Sequence, residues 1–291
     1  MVYAPNKRSD HDDSLLAAEI GALVDQVVKA KSIAAQISLP VSTDRPKYEF
    51  PLLTKPVSTA IIDELDDLPL SNFETGSVTA IPRKFAGATN ISNEQADDLA
   101  DGNDALVAEQ IGGMLSDQII ASLDASVLAN LTAVGTHPTD KFAGLLSYAS
   151  TAIDTGAIGT INNTDNFVKA IYAAQNAAVP GDNGVFIVSP ATAEKLSLLK
   201  TGTGQNGYLL DFQQDGSIVV AGKKLLVTSL VDAATQFWYV VPGQQRLVTL
   251  QGTEFHKTYV PQNDSWFLSS TYRADFVSLA PETVIRGYDA A

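Results

Sequence analysis

His11, His137 and His256 are the only imidazoles of this chain. They fall in three separate regions with no ligand or triad spacing around them, and such chemistry needs several groups to converge. Surface or internally satisfied histidines are therefore the expectation. Gly202-Thr-Gly-Gln-Asn-Gly207 matches G-x-G-x-x-G. A dinucleotide loop follows a strand, opens a helix and has an acid about 20 residues on; here a predicted helix precedes and Tyr208-Leu-Leu-Asp211 follows, so the segment reads as a loop. Thr192-Ala-Glu-Lys195 has the spacing of a nucleophile–lysine pair, and the simpler expectation is that Thr192 caps a short helix after Ser189-Pro190. Asp97 and Asp98 have no apolar surroundings to raise a carboxyl pKa and read as exposed helix-turn acids. With no cysteine in the chain, thiolate, disulfide and Cys-metal chemistry are excluded. No catalytic, cofactor or metal site is expected, and no enzymatic activity.

The elements around these residues are more informative. Leu16, Ile20, Leu23 and Val27 predict an amphipathic helix over 14–37, with Asp12 and Asp13 before it and Lys29 and Lys31 toward its end, as a helix dipole prefers. Ser92-Asn-Glu-Gln95 has the pattern of a capping box. Asn103 or Asp104 then recaps a long helix to about Leu131. In it Val107, Ile111, Leu115, Ile119, Leu123, Val127 and Leu131 recur every four residues. Four residues advance about 400°, so the row drifts about 40° per step and winds round the rod, which predicts different partners along its length. Gly112-Gly113 in mid-helix costs stability and suggests a bend or close approach by another chain.

From Gly135 the pattern becomes α/β. A helix is predicted over 164–178, a buried strand over 184–189 stopped by Pro190, a short helix over 192–199, and strands over 217–220 and 224–228. Further strands are predicted over 237–241, 245–251, 255–259, 267–274 and 275–279, with Trp238 and Trp266 as core or interface anchors.

Residues 39–84 fit neither pattern. They carry Pro40, Pro46, Pro51, Pro56, Pro69 and Pro82 and show no helical periodicity, and structureless connections this long are uncommon inside compact domains. Yet Tyr48, Phe50, Leu52, Leu53, Ile61, Ile62, Phe73 and Val78 run through them, so the segment is expected to lie on another surface, that of a neighbouring copy. Charge adds a second hint. The chain has a net charge of −14, which argues against tight binding to a nucleic-acid backbone. The acids include Glu94, Asp97, Asp98, Asp101, Asp104, Glu109, Asp117 and Asp124, in a stretch from Phe85 to Asp140 without Lys or Arg. Lys29, Lys31, Arg45, Lys47 and Lys55 precede it. A solvated acidic face is the plain reading, and a basic arm docking on the acidic helix of the next copy is the sharper one. Lys47, Lys55, Tyr48, Phe50, Asp97, Asp98, Asp104 and Glu109 are the candidate contact residues. The polar stretch Met1–Asp13 lacks the apolar core of a signal peptide, and no apolar run reaches the roughly 18–20 residues of a membrane span; a soluble protein that is not exported is expected.

The ordered set of punctuating segments resembles the major capsid protein family of tailed bacteriophages, whose fold encapsulin shell proteins share. The segments are Phe85-Ala-Gly-Ala-Thr-Asn-Ile-Ser92 before the acidic helix, Gly135 to Gly144-Leu-Leu146, Phe186-Ile-Val-Ser-Pro-Ala-Thr-Ala-Glu-Lys-Leu196, Gly222-Lys-Lys-Leu-Leu-Val-Thr-Ser229, and Tyr272-Arg-Ala-Asp-Phe-Val-Ser-Leu-Ala-Pro-Glu282. The resemblance implies an α+β fold with an N-terminal arm (1–38), an extended hairpin loop (39–84), a peripheral domain with the long spine helix (85–134 and 246–280) and an axial α/β domain (135–245 and 281–291). It implies hexamers and pentamers in an icosahedral shell of the virion, assembled in the host cytoplasm around double-stranded DNA that is contacted weakly and without sequence specificity. Portal and decoration proteins are the implied partners. With about 36 residues before the loop, a separate scaffold protein is expected. An encapsulin-type shell is the alternative, and a small α/β hydrolase or binding protein the remaining one.

Overall fold

The computed structural model describes residues 31–55, 74–94, 104–128, 142–149, 151–156, 163–176, 183–200 and 218–289 and a few single positions; the side chains of residues 54–55, 104–112 and 251–253 fall outside that description. Most of the arm helix expected over 14–37 thus lies outside the described residues. Its end departs from one continuous helix. Ser32 is extended, with φ −65° and ψ 131°, and a separate helix α1, Ile33–Gln36, begins after it. The break is stabilised locally, because Ser32 Oγ accepts from Ala35 N and caps the new helix.

The described parts of the proline-rich segment are mainly strands. β1, Leu39–Ser42, pairs in parallel with β10, Gln245–Val260, so its first residues belong to a sheet. β2, Tyr48–Lys55, and β3, Glu74–Ala80, form a two-stranded antiparallel hairpin. After Pro82 the chain enters β4, Arg83–Ser92, which pairs with β11, Ser265–Ser278. The result is a four-stranded sheet in the order β1-β10-β11-β4.

On one face of that sheet lies the spine helix α2, Asp104–Leu128. A Cβ added at Gly87 of β4 would sit 3.3 Å from Leu115 Cδ2, which measures how closely rod and sheet approach. In the described half of the helix Leu115, Ser116, Ile119, Ile120, Leu123, Asp124, Val127 and Leu128 are buried. The four-residue row therefore does meet changing partners along its length, but in this stretch they are elements of the same chain: β4 and β11, then α1 and α3, Leu145–Tyr148. The reason is geometric, since a stripe drifting about 40° per step stays within reach of a curved bed of several elements over a few steps.

The remaining strands form a six-stranded sheet, ordered β5-β12-β9-β6-β8-β7, from β5 (Thr151–Asp154), β6 (Val185–Val188), β7 (Val219–Val220), β8 (Lys223–Val227), β9 (Thr235–Val240) and β12 (Val284–Tyr288). All six residues of β9 are buried, as expected of a strand covered on both faces. Trp238 and Val240 face a core shared with α2, α3 and β11, whereas Phe237 and Tyr239 face a second core beneath α4, Asp165–Asn176. Rings fill this sheet so tightly that a Cβ at Gly184 would lie 2.0 Å from the Tyr239 hydroxyl, and one at Gly287 2.4 Å from the Phe237 ring.

Four expectations change in detail. The strands read as separate over 245–251 and 255–259 are one strand, β10, with register shifts between Thr249 and Glu254; Gly252 signals an irregularity, not an end. Those over 267–274 and 275–279 are likewise one strand, β11. The short helix α5, Pro190–Leu198, starts earlier than expected because Ser189 caps it, Pro190 occupies its first turn, and Thr192 N donates to Ser189 Oγ at 3.3 Å. Thr192 is therefore not the cap. β5 and β12, which no periodicity announces, complete the six-stranded sheet.

Candidate inter-subunit surfaces

Cross-strand pairing puts Tyr48 opposite Ala80 and Phe50 opposite Val78. Residues two apart share a strand face, so these four side chains point the same way. They meet Val248 of β10 and Val277 of β11, with Val41 and Leu279 beside them, in a small apolar cluster on the sheet face opposite the spine helix. Tyr48 and Phe50 pack edge to face at 4.7 Å between ring centroids. The hairpin root is thus fixed to its own sheet. Farther out Leu53 is 60 % exposed and Ile61 fully exposed, so the apolar series continues where the hairpin root's cluster has ended.

A polar clamp accompanies the cluster. Asp275 Oδ2 accepts from Ile81 N at 2.7 Å, where the chain turns from β3 into β4, and Asp275 Oδ1 accepts from Phe276 N at 2.9 Å. Burial pushes this carboxyl up to about 6, against the pull of those two hydrogen bonds and of the Arg83 charge. Tyr148 Oη donates to Phe276 O at 3.2 Å; burial first, and then the charge of Asp275, push this phenol upward.

A second buried acid fastens the arm. Asp124, on the spine helix, accepts from Ser32 Oγ at 2.6 Å, Ile33 N at 3.0 Å and Ala34 N at 3.0 Å. It therefore satisfies the free amides at the start of α1 from another element, as a capping side chain would. Burial raises its pKa and the three hydrogen bonds oppose the rise. Asp124 belongs to the acidic run, yet it is no part of a solvated face. Its signal in the sequence is its phase: it stands four residues from both Ile120 and Leu128, inside the buried stripe.

The predicted contact residues are distributed unevenly. Lys47, Tyr48 and Phe50 come together at the hairpin root, where Nζ of Lys47, just before β2, lies 2.6 Å from Glu49 Oε1. Phe50 is 9 % exposed and faces its own sheet. Lys55 ends β2 opposite Glu74, and Asp104 and Glu109 lie in α2; the side chains of these three predicted residues, and all of Asp97 and Asp98, lie outside the described residues. The one arm-to-helix ion pair among the described residues joins Lys31 to Asp117 at 3.3 Å within the chain, with both side chains more than half exposed. Sequence reasoning missed Asp124 and Asp275 as clamps, as well as this pairing within one copy.

Among the described residues no three His, Asp or Glu side chains converge as a metal site would need, and His256 pairs loosely with Glu254 at 3.6 Å. His11, His137 and the loop over 202–207 lie outside the described residues. Among the described residues no helix is long and apolar enough to cross a membrane. The hairpin root is anchored on its own sheet, and beyond it Leu53 and Ile61 are exposed.

The family model described as "Phage capsid family" matches residues 14–282. The solved structure titled "Capsid of empty GTA particle computed with C5 symmetry" is similar over 88 % of this chain and 89 % of its own, with a TM-score of 0.71 at 15 % identity. A structure from Mycobacterium phage Adephagia is similar with a TM-score of 0.70 at 12 % identity, covering 89 % of this chain and 90 % of its own. One from Gordonia phage Cozz gives 0.65 at 20 % identity, over 89 % and 87 %. At these identities the likeness establishes the fold. No curated protein matches the chain.

Proposed function

The chain belongs to the phage capsid family and has the fold of solved phage capsid proteins; from that premise we propose how its parts build a shell. It is a major capsid protein, a structural component of the virion whose copies tile an icosahedral shell. The tiles are hexamers and pentamers enclosing double-stranded DNA, which a chain of net charge −14 contacts weakly. The spine helix and four-stranded sheet form a peripheral domain (85–134 and 246–280), and the six-stranded sheet an axial domain (135–245 and 281–291). The arm (1–38) and the extended hairpin loop (39–84) reach a neighbour. A separate scaffold, a portal, a decoration protein and assembly in the host cytoplasm complete this reading. Family membership does not favour the encapsulin-type or hydrolase alternatives.

The observation that carries the proposal is the hairpin itself: its root is locked on its own sheet, while Leu53 and Ile61 beyond that root are exposed. An apolar limb held out from a seated root gains burial when a symmetry-related copy covers it. Lys47 and Lys55 from one copy would then meet Asp97, Asp98, Asp104 or Glu109 of the next, with Tyr48 and Phe50 holding the limb at its working angle. Electron microscopy and light scattering of purified protein should show closed particles. Leu53→Asp should abolish them while the subunit stays folded, and a chain that is monomeric under every assembly condition would end the reading. The electrostatic part is tested separately. Lys47→Glu with Lys55→Glu should raise the concentration needed for assembly and alter its salt dependence; unchanged behaviour removes that part alone.

A further inference from the structure

Two attachments join the hairpin to the sheet at its return leg: the apolar cluster under Phe50 and Ala80, and the bond from Ile81 N to Asp275. Pro82 follows and has no amide hydrogen to offer, so Ile81 supplies the only backbone donor of the two-residue link between β3 and β4. Asp275 is only 4 % exposed. The cluster and the returning chain cover it, so the hairpin cannot lift from the sheet without wetting this carboxyl. We propose that residues 81–83 form a proton-linked hinge, in which a protonated Asp275 holds the hairpin seated on its own sheet and an ionised Asp275 loosens it. The inference concerns a single subunit and stands whether or not a shell forms.

The sign follows from the surroundings. Seated, the carboxyl is pushed by burial from 3.8 to about 6; lifted, it meets water and returns to the ordinary value. The seated form therefore holds the proton more tightly, and binding the proton favours seating. The ratio of seated to lifted hairpin should change by about tenfold between about pH 8 and about pH 5, and by up to about 100-fold at the limits. Several other groups lie around this carboxyl. Arg83 from β4 stays cationic and moderates the effect. Tyr148 from α3 is pushed farther from ionisation. Arg246 of β10 is bonded to the carbonyls of Gly243 and Gln245 at 2.8 and 2.9 Å. Arg273, two residues along the same face of β11, is exposed and always charged. Tyr48 of β2 packs its ring beside the apolar cluster.

The absence of native cysteine makes the test direct. Spin labels on Leu53→Cys, far out on the hairpin, and Ala88→Cys, on the exposed face of β4, report the hairpin angle as a distance. Labelled full-length chain is diluted into unlabelled chain so that only distances within one copy are read. The wild-type background should give one narrow distance population at about pH 5 and a second, longer one that grows with a midpoint near 6. Asp275→Asn, which keeps an acceptor for Ile81 N without the charge, should hold the narrow population at every pH. A wild-type distribution that does not change with pH, one that loosens in acid, or a variant that titrates like wild type would overturn the hinge. Should the variant fail to fold, amide exchange at Ile81 in the wild type, corrected for the intrinsic rate, decides alone: protection must fall as the pH rises through 6.

Discussion

The six-stranded sheet and the β2–β3 hairpin are built from similar residues and end in opposite states. β9 is buried along its whole length, with Phe237 stacked on Phe167 at 4.5 Å and Phe186 edge-on to it at 5.8 Å. β2 begins the same way, with Tyr48 against Phe50, yet two residues later its side chains emerge from cover. The first region buries its apolar surface against its own chain. The second does so at the root, while Leu53 and Ile61 are exposed. If the hairpin is the part that a neighbouring copy completes, as proposed above, the division between these regions lets one chain both fold alone and assemble.

Breaking the sealed region should cost most. Phe237→Ala removes a ring that packs on two aromatic neighbours, Phe167 and Phe186, and should destabilise the unassembled subunit by about 3–5 kcal/mol, read by chemical denaturation. The equivalent truncation on the limb, Leu53→Ala, should leave subunit stability within about 0.5 kcal/mol and weaken only the assembled particle. Equal losses in the two variants would erase the contrast.

Asp124→Ala tests the joint between arm and rod. It strips the acceptor from Ser32 Oγ and two buried amides and should cost about 2 kcal/mol. The wild type should also gain stability from Asp124 as the pH falls. Its folded pKa is raised, so the folded state takes up the proton first, and its contribution is fullest below the unfolded value and is lost as the pH rises through the folded one. Asp124→Asn should flatten that part of the stability–pH curve; a curve unchanged by the substitution contradicts the assignment.

Gly113 sharpens the comparison from the other side. A Cβ there meets nothing of its own chain within 4 Å, so Gly113→Ala should stabilise the free subunit by about 1 kcal/mol through helix propensity. If a neighbouring copy approaches this point, the same variant should assemble less readily, an opposition visible when the denaturation midpoint and the critical assembly concentration are measured side by side. The smallest effect belongs to Lys31. Its pair with Asp117 is solvent-exposed, so Lys31→Gln should cost no more than about 0.5 kcal/mol, and should cost less still in high salt.

Where burial follows a short repeat, the sequence is a sufficient guide. The spine helix was legible because a four-residue apolar row over so many turns fits nothing else, and β6 because an apolar run stands between Gly184 and Pro190. β12 was illegible for the converse reason: Val284-Ile-Arg-Gly-Tyr288 lacks a clean alternation, and its place in the middle of a sheet comes from neighbours at 151–154 and 235–240. β10 read as two strands, over 245–251 and 255–259, because the apolar pattern lapses around Gly252, and a glycine marks an irregularity without saying whether pairing resumes beyond it. Of the candidate contact surface, the extended segment that holds the hairpin was visible in its prolines and apolar residues. The direction each side chain takes was not: Phe50 looks in, Leu53 looks out, and pleat and register decide which.

By itself the sequence determined that this chain has a long rod, an extended hairpin segment and an α/β block, together with the acidic character of the rod, because these are properties of neighbouring residues. Only the tertiary structure decided that Asp124 holds Ser32–Ala34, that Asp275 holds Ile81 across 194 residues of chain, and that Lys31 meets the Asp117 of its own copy. A composition records which charges and amides exist. Which of them share a water-free space depends on how distant segments are packed, and that is where a hydrogen bond acquires its strength.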